Sequence, residues 1–290
     1  MSASTDDPRV FPGPLAAEPL NTDSDLGRRL SDAMAGAGRL LLKAVLALIL
    51  PLLILGLWAL TAERGWIAQQ ILPAPAYVWE SFLMVIESGE LLEHTRHSLA
   101  RVGWSLVLGG GVGLLLGFGM GLSATLRAYL LPTLRALAQI PVLGWIPLLI
   151  IFVGIEEPLK LWAVSLAVVV PVTFATLDGV ANIQKALLEV GRVYRFSPLQ
   201  VLHRIVLPAS VPSLFGAVRQ GVMQAWLTVI FVELLSSSEG LGYFMSQSRS
   251  LAQIDLVIAS MFVIGAIGLL IDLVLRVIES RLLRWRRTAY

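Results

Sequence analysis

Among the ionisable side chains inside the long apolar runs of this 290-residue chain, the candidates for a functional role are Arg135, Asp178, Arg219, Glu233 and Asp272. Such a residue costs about 2.5–3.5 kcal/mol at the middle of a bilayer-spanning helix on insertion scales, so each calls for a partner or a task. Arg135 and Arg219 stand near one end of their runs, where a long side chain snorkels to the headgroups. Asp178 lies at a terminus, where hydration is easy, and Asp272 can pair with Arg276 four residues on. Glu233, in Phe231-Val232-Glu233-Leu234-Leu235, holds most interest: it lines a gate, caps a helix across an interface, or reaches the headgroups. Gln139, Gln220, Gln224, Trp145 and Trp226 are further pathway candidates, although polar groups of this kind more often bond between helices.

Other chemistry is excluded by what the chain lacks. It has no cysteine, and its three histidines, His94, His97 and His203, lie outside the apolar runs without an H-E-x-x-H arrangement. No metal site is therefore expected. Lys43, Lys160 and Lys185 are the only lysines and none follows glycine, so the G-x-x-x-x-G-K-[ST] loop for nucleotide phosphates is absent. No paired catalytic carboxylates or Ser–His constellation stands inside an apolar run, so no catalytic residue and no cofactor is expected in the chain. Nothing suggests a nucleic-acid partner.

The elements that must carry these residues follow from composition. With 56% hydrophobic and 14% charged residues and a mean hydropathy of +0.77, the chain is expected to be an all-α polytopic membrane protein in contact with a lipid bilayer. Six transmembrane helices are predicted near Leu40–Leu60, Leu99–Leu122, Ala128–Ile155, Leu159–Val180, Ser213–Leu235 and Leu256–Ile278. The third, with Pro132, Pro141 and Pro147, should be kinked and line a cavity. In the second, Gly109, Gly113, Gly117 and Gly121 put small residues along one side, a packing face for a neighbouring helix. Residues 1–38 are expected to be a disordered tail without signal-peptide character, 39–61 the first span, and 62–98 an outer interfacial segment. Residues 99–278 form a five-helix core, and 279–290 a basic tail. Arg28, Arg29, Arg39 and Lys43, then Arg127, then the 185–204 stretch, then Arg281, Arg284, Arg286 and Arg287 alternate with acidic connections. Lysine and arginine mark the cytoplasmic side, so both termini and the 184–212 loop are expected there.

That loop is the longest basic-amphipathic stretch. Glu189, Gly191, Arg192, Arg195, Ser197, Pro198, Leu199, Leu202, His203, Leu207 and Pro208 are its candidate functional residues. Ser197 followed by Pro198 is a helix-start signal, so two short helices should meet there. Leu199, Leu202 and Ile205/Val206 should fall on one apolar face, and Pro208 should end the second helix.

Glu189-Val190-Gly191, Ser197 and Ile205-Val206-Leu207-Pro208 resemble the EAA loop of bacterial ABC importer permeases. Gly191 replaces the usual second alanine, and Arg195 the usual glycine. Glu233 to Met245, with Gly240-Leu241-Gly242-Tyr243, resembles the subgroup that imports aliphatic sulfonates, taurine and nitrate, as do Gln139-Ile140-Pro141 and Ile278-Glu279-Ser280-Arg281. The resemblance covers roughly residues 73–287. It implies the type I importer permease fold and a homodimer or heterodimer of permeases in the bacterial cytoplasmic (inner) membrane. It further implies two ATPase subunits that carry ATP and magnesium, and a periplasmic or lipid-anchored binding protein that delivers a small anionic solute. The loop would then be a pair of coupling helices, with Pro198 to His203 as contact face and Arg192 and Arg195 as charged partners. The rival reading is an ATP-independent secondary transporter or channel, which should show matching broken helices and mid-membrane titratable groups.

Overall fold

The computed structural model describes residue 46 and residues 48–283, Lys185 by its backbone alone. The expected tail of residues 1–38, the start of the first span and the last basic residues lie outside the described residues. Contacts divide the chain after Leu60. The helix at that division is α1 (Leu48–Glu63), apolar but shorter than a full crossing.

From Thr61 onward every regular element among the described residues is a helix. They are α2 (Pro75–Glu87), α3 (Glu90–Leu122), α4 (Ala124–Leu137), α5 (Val142–Val153), α6 (Glu157–Ala181), α7 (Lys185–Val193), α8 (Pro198–Ser236), α9 (Leu241–Ser250) and α10 (Ile254–Leu282). The all-helical expectation holds for them. Four of these, α3, α6, α8 and α10, are long and apolar enough to cross a membrane, and α4 with α5 makes a fifth when counted as one broken span.

Burial identifies the axis of the bundle. Along α6, 61% of the apolar window is buried, against 22–33% for the other three long helices. Val164, Val168 and Val172 of α6 pack with Ala225, Trp226 and Val229 of α8, Val102 of α3, and Leu241 and Phe244 of α9. The remaining helices keep one apolar face outward, as hydrocarbon solvent permits.

Three expectations are corrected. First, α3 begins at Glu90, not Leu99, after Gly89 turns the chain at φ 79°. The added turns bring His94 and Ser98 into the bundle beside Arg101, and a π-turn at Leu106–Gly110 interrupts the helix. Second, the third expected span is not one kinked helix: α4 and α5 meet at 96°. Pro141 is extended (ψ 139°) at that break, while Pro132 and Pro147 are absorbed inside their helices. Third, Pro208 does not end a helix. Leu202–Val206 is a second π-turn in which Leu207 N–H donates to Leu202, five residues back. A π-turn makes room for a ring that lacks a donor, and α8 runs on to Ser236.

Candidate functional site

Three places carry the polar and close-packed residues. The first is the end of the bundle opposite the α7–α8 elbow. Glu233 is 1% exposed and belongs to α8, yet its carboxylate collects donors from other elements. Ser98 Oγ lies 2.9 and 2.8 Å from its two oxygens, Arg101 Nη1 donates at 2.7 Å, and the Gly242 N–H at 3.0 Å. Arg101, 4% exposed, also forms a two-pronged pair with Glu157 of α6 (2.7 and 3.0 Å) and donates to the Glu239 carbonyl at 2.8 Å. Lys160 Nζ joins Glu157 at 2.6 Å. A buried carboxylate and a buried guanidinium, each with nearly all its bonding positions filled, are how a low-dielectric site tolerates charge.

The same cluster holds the start of α9. Gly240 N–H donates to His94 Nδ1 at 3.1 Å, Leu241 N–H to Ser98 Oγ at 2.9 Å, and Gly242 N–H to Glu233. Unpaired N–H groups and the positive end of a helix dipole both favour a carboxylate there. Both glycines of Gly240-Leu241-Gly242 are needed. A Cβ at Gly240, whose φ is 107°, would overlap the Glu233 carboxylate, and one at Gly242 would overlap the Ile230 carbonyl. Of the three roles expected for Glu233, the geometry is that of a cap across an interface. Sequence reading missed Arg101, Ser98, Glu157 and Lys160, although Arg101 stands inside the apolar run counted from Leu99.

The second place is the contact of α3 with α6. Cβ atoms at Gly109, Gly113, Gly117 and Gly121 would meet Ser165, Val172, Thr176 and Val180 respectively; those at Gly113 and Gly121 would lie 2.9 and 2.7 Å from the Val172 and Val180 Cβ atoms. Four glycines at spacing four thus let two backbones approach along α6. Beside this contact, between α6, α8 and the α4–α5 break, lies a cavity of about 690 Å3. The expected pathway residues separate here. Gln224 lines the cavity with Gln220 and Trp145. Gln139 is exposed at the break and donates to the Arg135 carbonyl at 3.3 Å. Trp226 is 2% exposed, set in the core where Gly268 makes room for its indole, and Glu233 sits in the ionic cluster. Arg219 is also corrected: it does not snorkel alone but pairs with Asp272 at 2.6 Å and Glu279 at 3.3 Å on α10, and Arg276 joins Asp272 at 2.8 Å.

The third place is the elbow. α7 ends in two reverse bonds, Phe196 N–H to Gly191 (2.9 Å) and Arg195 N–H to Arg192 (3.0 Å), with Arg195 in the left-handed region at φ 49°. This is the Schellman stop that glycine usually fills. Arginine therefore preserves the turn at a backbone cost of roughly 1 kcal/mol. Ser197 then caps α8 with a reciprocal pair, Ser197 Oγ accepting from Gln200 N–H (3.3 Å) and Gln200 Oε1 from Ser197 N–H (2.9 Å). Gly191 packs on Ile205, whose Cδ1 would lie 2.8 Å from a Cβ there. The Arg204 guanidinium lies 5.3 Å from the Phe196 ring centre.

Ile205 and Val206 are buried, and Leu202 and Leu207 half-buried. Leu199, in the first turn of α8, does not share their burial: it is 69% exposed. Glu189, Arg192, Arg195, Ser197, Pro198, His203 and Pro208 are exposed too. With Leu199, the outward Val190, Val193 and Tyr194 give this basic elbow an apolar surface. Among the described residues no cluster of three metal-ligating side chains occurs.

Comparison with known proteins follows the same residues. Residues 109–284 match the family model described as "Binding-protein-dependent transport system inner membrane component". The chain is 33% identical over 241 residues to the Bacillus subtilis (strain 168) protein assigned as the aliphatic sulfonates transport permease SsuC, covering 83% of this chain and 87% of that protein. The Escherichia coli (strain K12) protein of the same assignment is 35% identical over 240 residues, covering 81% and 90%. The taurine transport system permease protein TauC of Escherichia coli (strain K12) is 30% identical over 237 residues, covering 80% and 86%.

Proposed function

The chain belongs to the family of binding-protein-dependent transport system inner membrane components, and from that premise we propose a specific assignment of its parts. It is a membrane-embedded permease subunit of an ABC importer, a transport component and not an enzyme. The family implies an ATPase partner and a solute-binding protein. The proposal is that α7 and the first turns of α8 dock on the ATPase. Val193, Tyr194 and Leu199 bury against it, while Glu189, Arg192, Arg195 and His203 set its register. The observation that carries this is an apolar yet exposed elbow whose two helices are each terminated by a complete hydrogen-bonded motif. A surface so rigid and so apolar suits a permanent interface.

The elbow faces the cytoplasm with both termini, the chain crosses the membrane six times, and two permease subunits face each other. The basic and acidic connections support the orientation. The cargo is a small organic anion of the sulfonate or taurine class, delivered by the binding protein; the names of the relatives support this. ATP and magnesium stay on the partner. Binding of ATP closes the ATPase pair, and the elbows follow as rigid bodies into the outward-facing state.

Reconstitution with the ATPase and binding protein tests the scheme. Uptake of an alkanesulfonate into proteoliposomes should require ATP inside the compartment that holds the ATPase, and should survive an ionophore that collapses ion gradients. Uptake that stops with the ionophore and ignores ATP would return the protein to the secondary-transporter reading.

A further inference from the structure

We infer that Gln220 and Gln224 form a charge-neutral anion station inside the cavity, and that this amide pair selects cargo by the sign of its charge. The inference rests on the permease reading above. Gln220 and Gln224 are four residues apart on α8, so their exposed amides stand one above the other on the wall of an open-sided cavity of about 690 Å3, and Gln224 Nε2 also donates to Thr228 Oγ1 at 3.5 Å. That volume suits a small organic molecule. Trp145, Val169, Val170 and Phe174 give the same cavity an apolar wall. Among the described residues no arginine or lysine lines it, and Asp178 is the one titratable lining residue.

Position along the bundle separates the amides from the acid. Gly221 packs on Val172 and Val168, which puts the amide pair level with the middle of α6. Asp178 stands six residues beyond Val172, roughly 9 Å nearer the elbow at 1.5 Å per residue. An anion entering from the far end therefore meets amide donors first and a carboxylate second. Amide N–H groups bind an oxyanion head by charge-assisted bonds, and the apolar wall takes the tail. A fixed positive charge would hold the anion more firmly, but a conduit works only if the solute can leave. Asp178 then discourages the anion from lingering at the elbow-side mouth.

A charge series reads this directly. Complexes carrying wild-type protein, Gln224→Ala, Gln224→Glu or Gln224→Lys are reconstituted with the ATPase and the binding protein, and uptake of butane-1-sulfonate is measured. Gln224→Glu should lower uptake kcat/KM about tenfold or more, the scale of one charge-assisted hydrogen bond replaced by repulsion. Gln224→Ala should fall between it and wild type. Gln224→Lys should lower kcat while lowering KM, because the anion is held. Gln220→Glu, one turn away, should repeat the loss, and it stands in if the Gln224 carboxylate fails to assemble with the ATPase. Glutamate and lysine variants that both transport like wild type overturn the inference, as does a glutamate variant that transports faster. Wild-type protein that moves no sulfonate at all sinks the permease assignment of cargo instead, and the station with it.

Discussion

The Glu233–Arg101 pair sets the largest single-residue effects. Both side chains are buried, and each is the other's counter-charge at 2.7 Å. Removing Arg101 leaves Glu233 charged and dry, so Arg101→Ala should destabilise the protein by about 3–5 kcal/mol, and Glu233→Ala by less, because Arg101 keeps its pair with Glu157. The double replacement Arg101→Met with Glu233→Met should cost less than the sum of the two. Thermal unfolding in detergent checks the cycle, and strictly additive losses would show that the two groups do not depend on each other. Arg195 predicts the opposite sign. Its φ of 49° suits glycine, so Arg195→Gly should raise stability by about 1 kcal/mol without disturbing coupled transport. Glu233 could be singled out from sequence because a carboxylate in Phe231-Val232-Glu233-Leu234-Leu235 has no cheap explanation. Arg101 could not be recognised as its partner, since the two are 132 residues apart and only folding brings α3 beside α8.

At the scale of elements, the glycine stripe governs how closely α3 approaches α6. Gly113→Leu would drive a side chain into Val172 and the Val169 carbonyl, and overpacking of this kind costs about 1–3 kcal/mol or more where backbone must move. Loss of assembly with a lowered melting temperature is expected, whereas Gly111→Ala, with open space at its Cβ, should be neutral. Unchanged melting of Gly113→Leu would overturn the packing role. The stripe was legible because spacing four is the period of a helix face. The long helices were legible as well, because hydrocarbon leaves a chain few alternatives to them. What sequence could not give was the effect of each proline. Pro141 breaks a span by 96°, while Pro171 sits inside α6 and Pro208 is absorbed by a π-turn. Packing around the ring decides among these outcomes, and packing is not written in the local sequence.

The whole molecule can be understood as a lever. α8 runs without a break in its helical path from Pro198 in the elbow to Ser236, so one element joins the exposed elbow to the ionic cluster that holds α9. Arg219 ties it to α10 on the way, through Asp272 and Glu279. A helix braced at both ends and in the middle transmits displacement with little internal loss, since packed interiors shift between discrete arrangements instead of deforming smoothly. Under the docking proposed above, the stroke depends on how well the ATPase grips Leu199 and its neighbours. Leu199→Glu places a charge at the centre of that grip, where desolvation works against it, yet the side chain is exposed and the fold should not suffer. The expected result is normal melting, weakened co-purification of the ATPase, and ATP hydrolysis that proceeds without uptake. Glu189→Lys, one helix earlier, should uncouple in the same way through altered register. If both variants retain tight coupling, the elbow is not where force enters, and the continuity of α8 would have to serve stability alone.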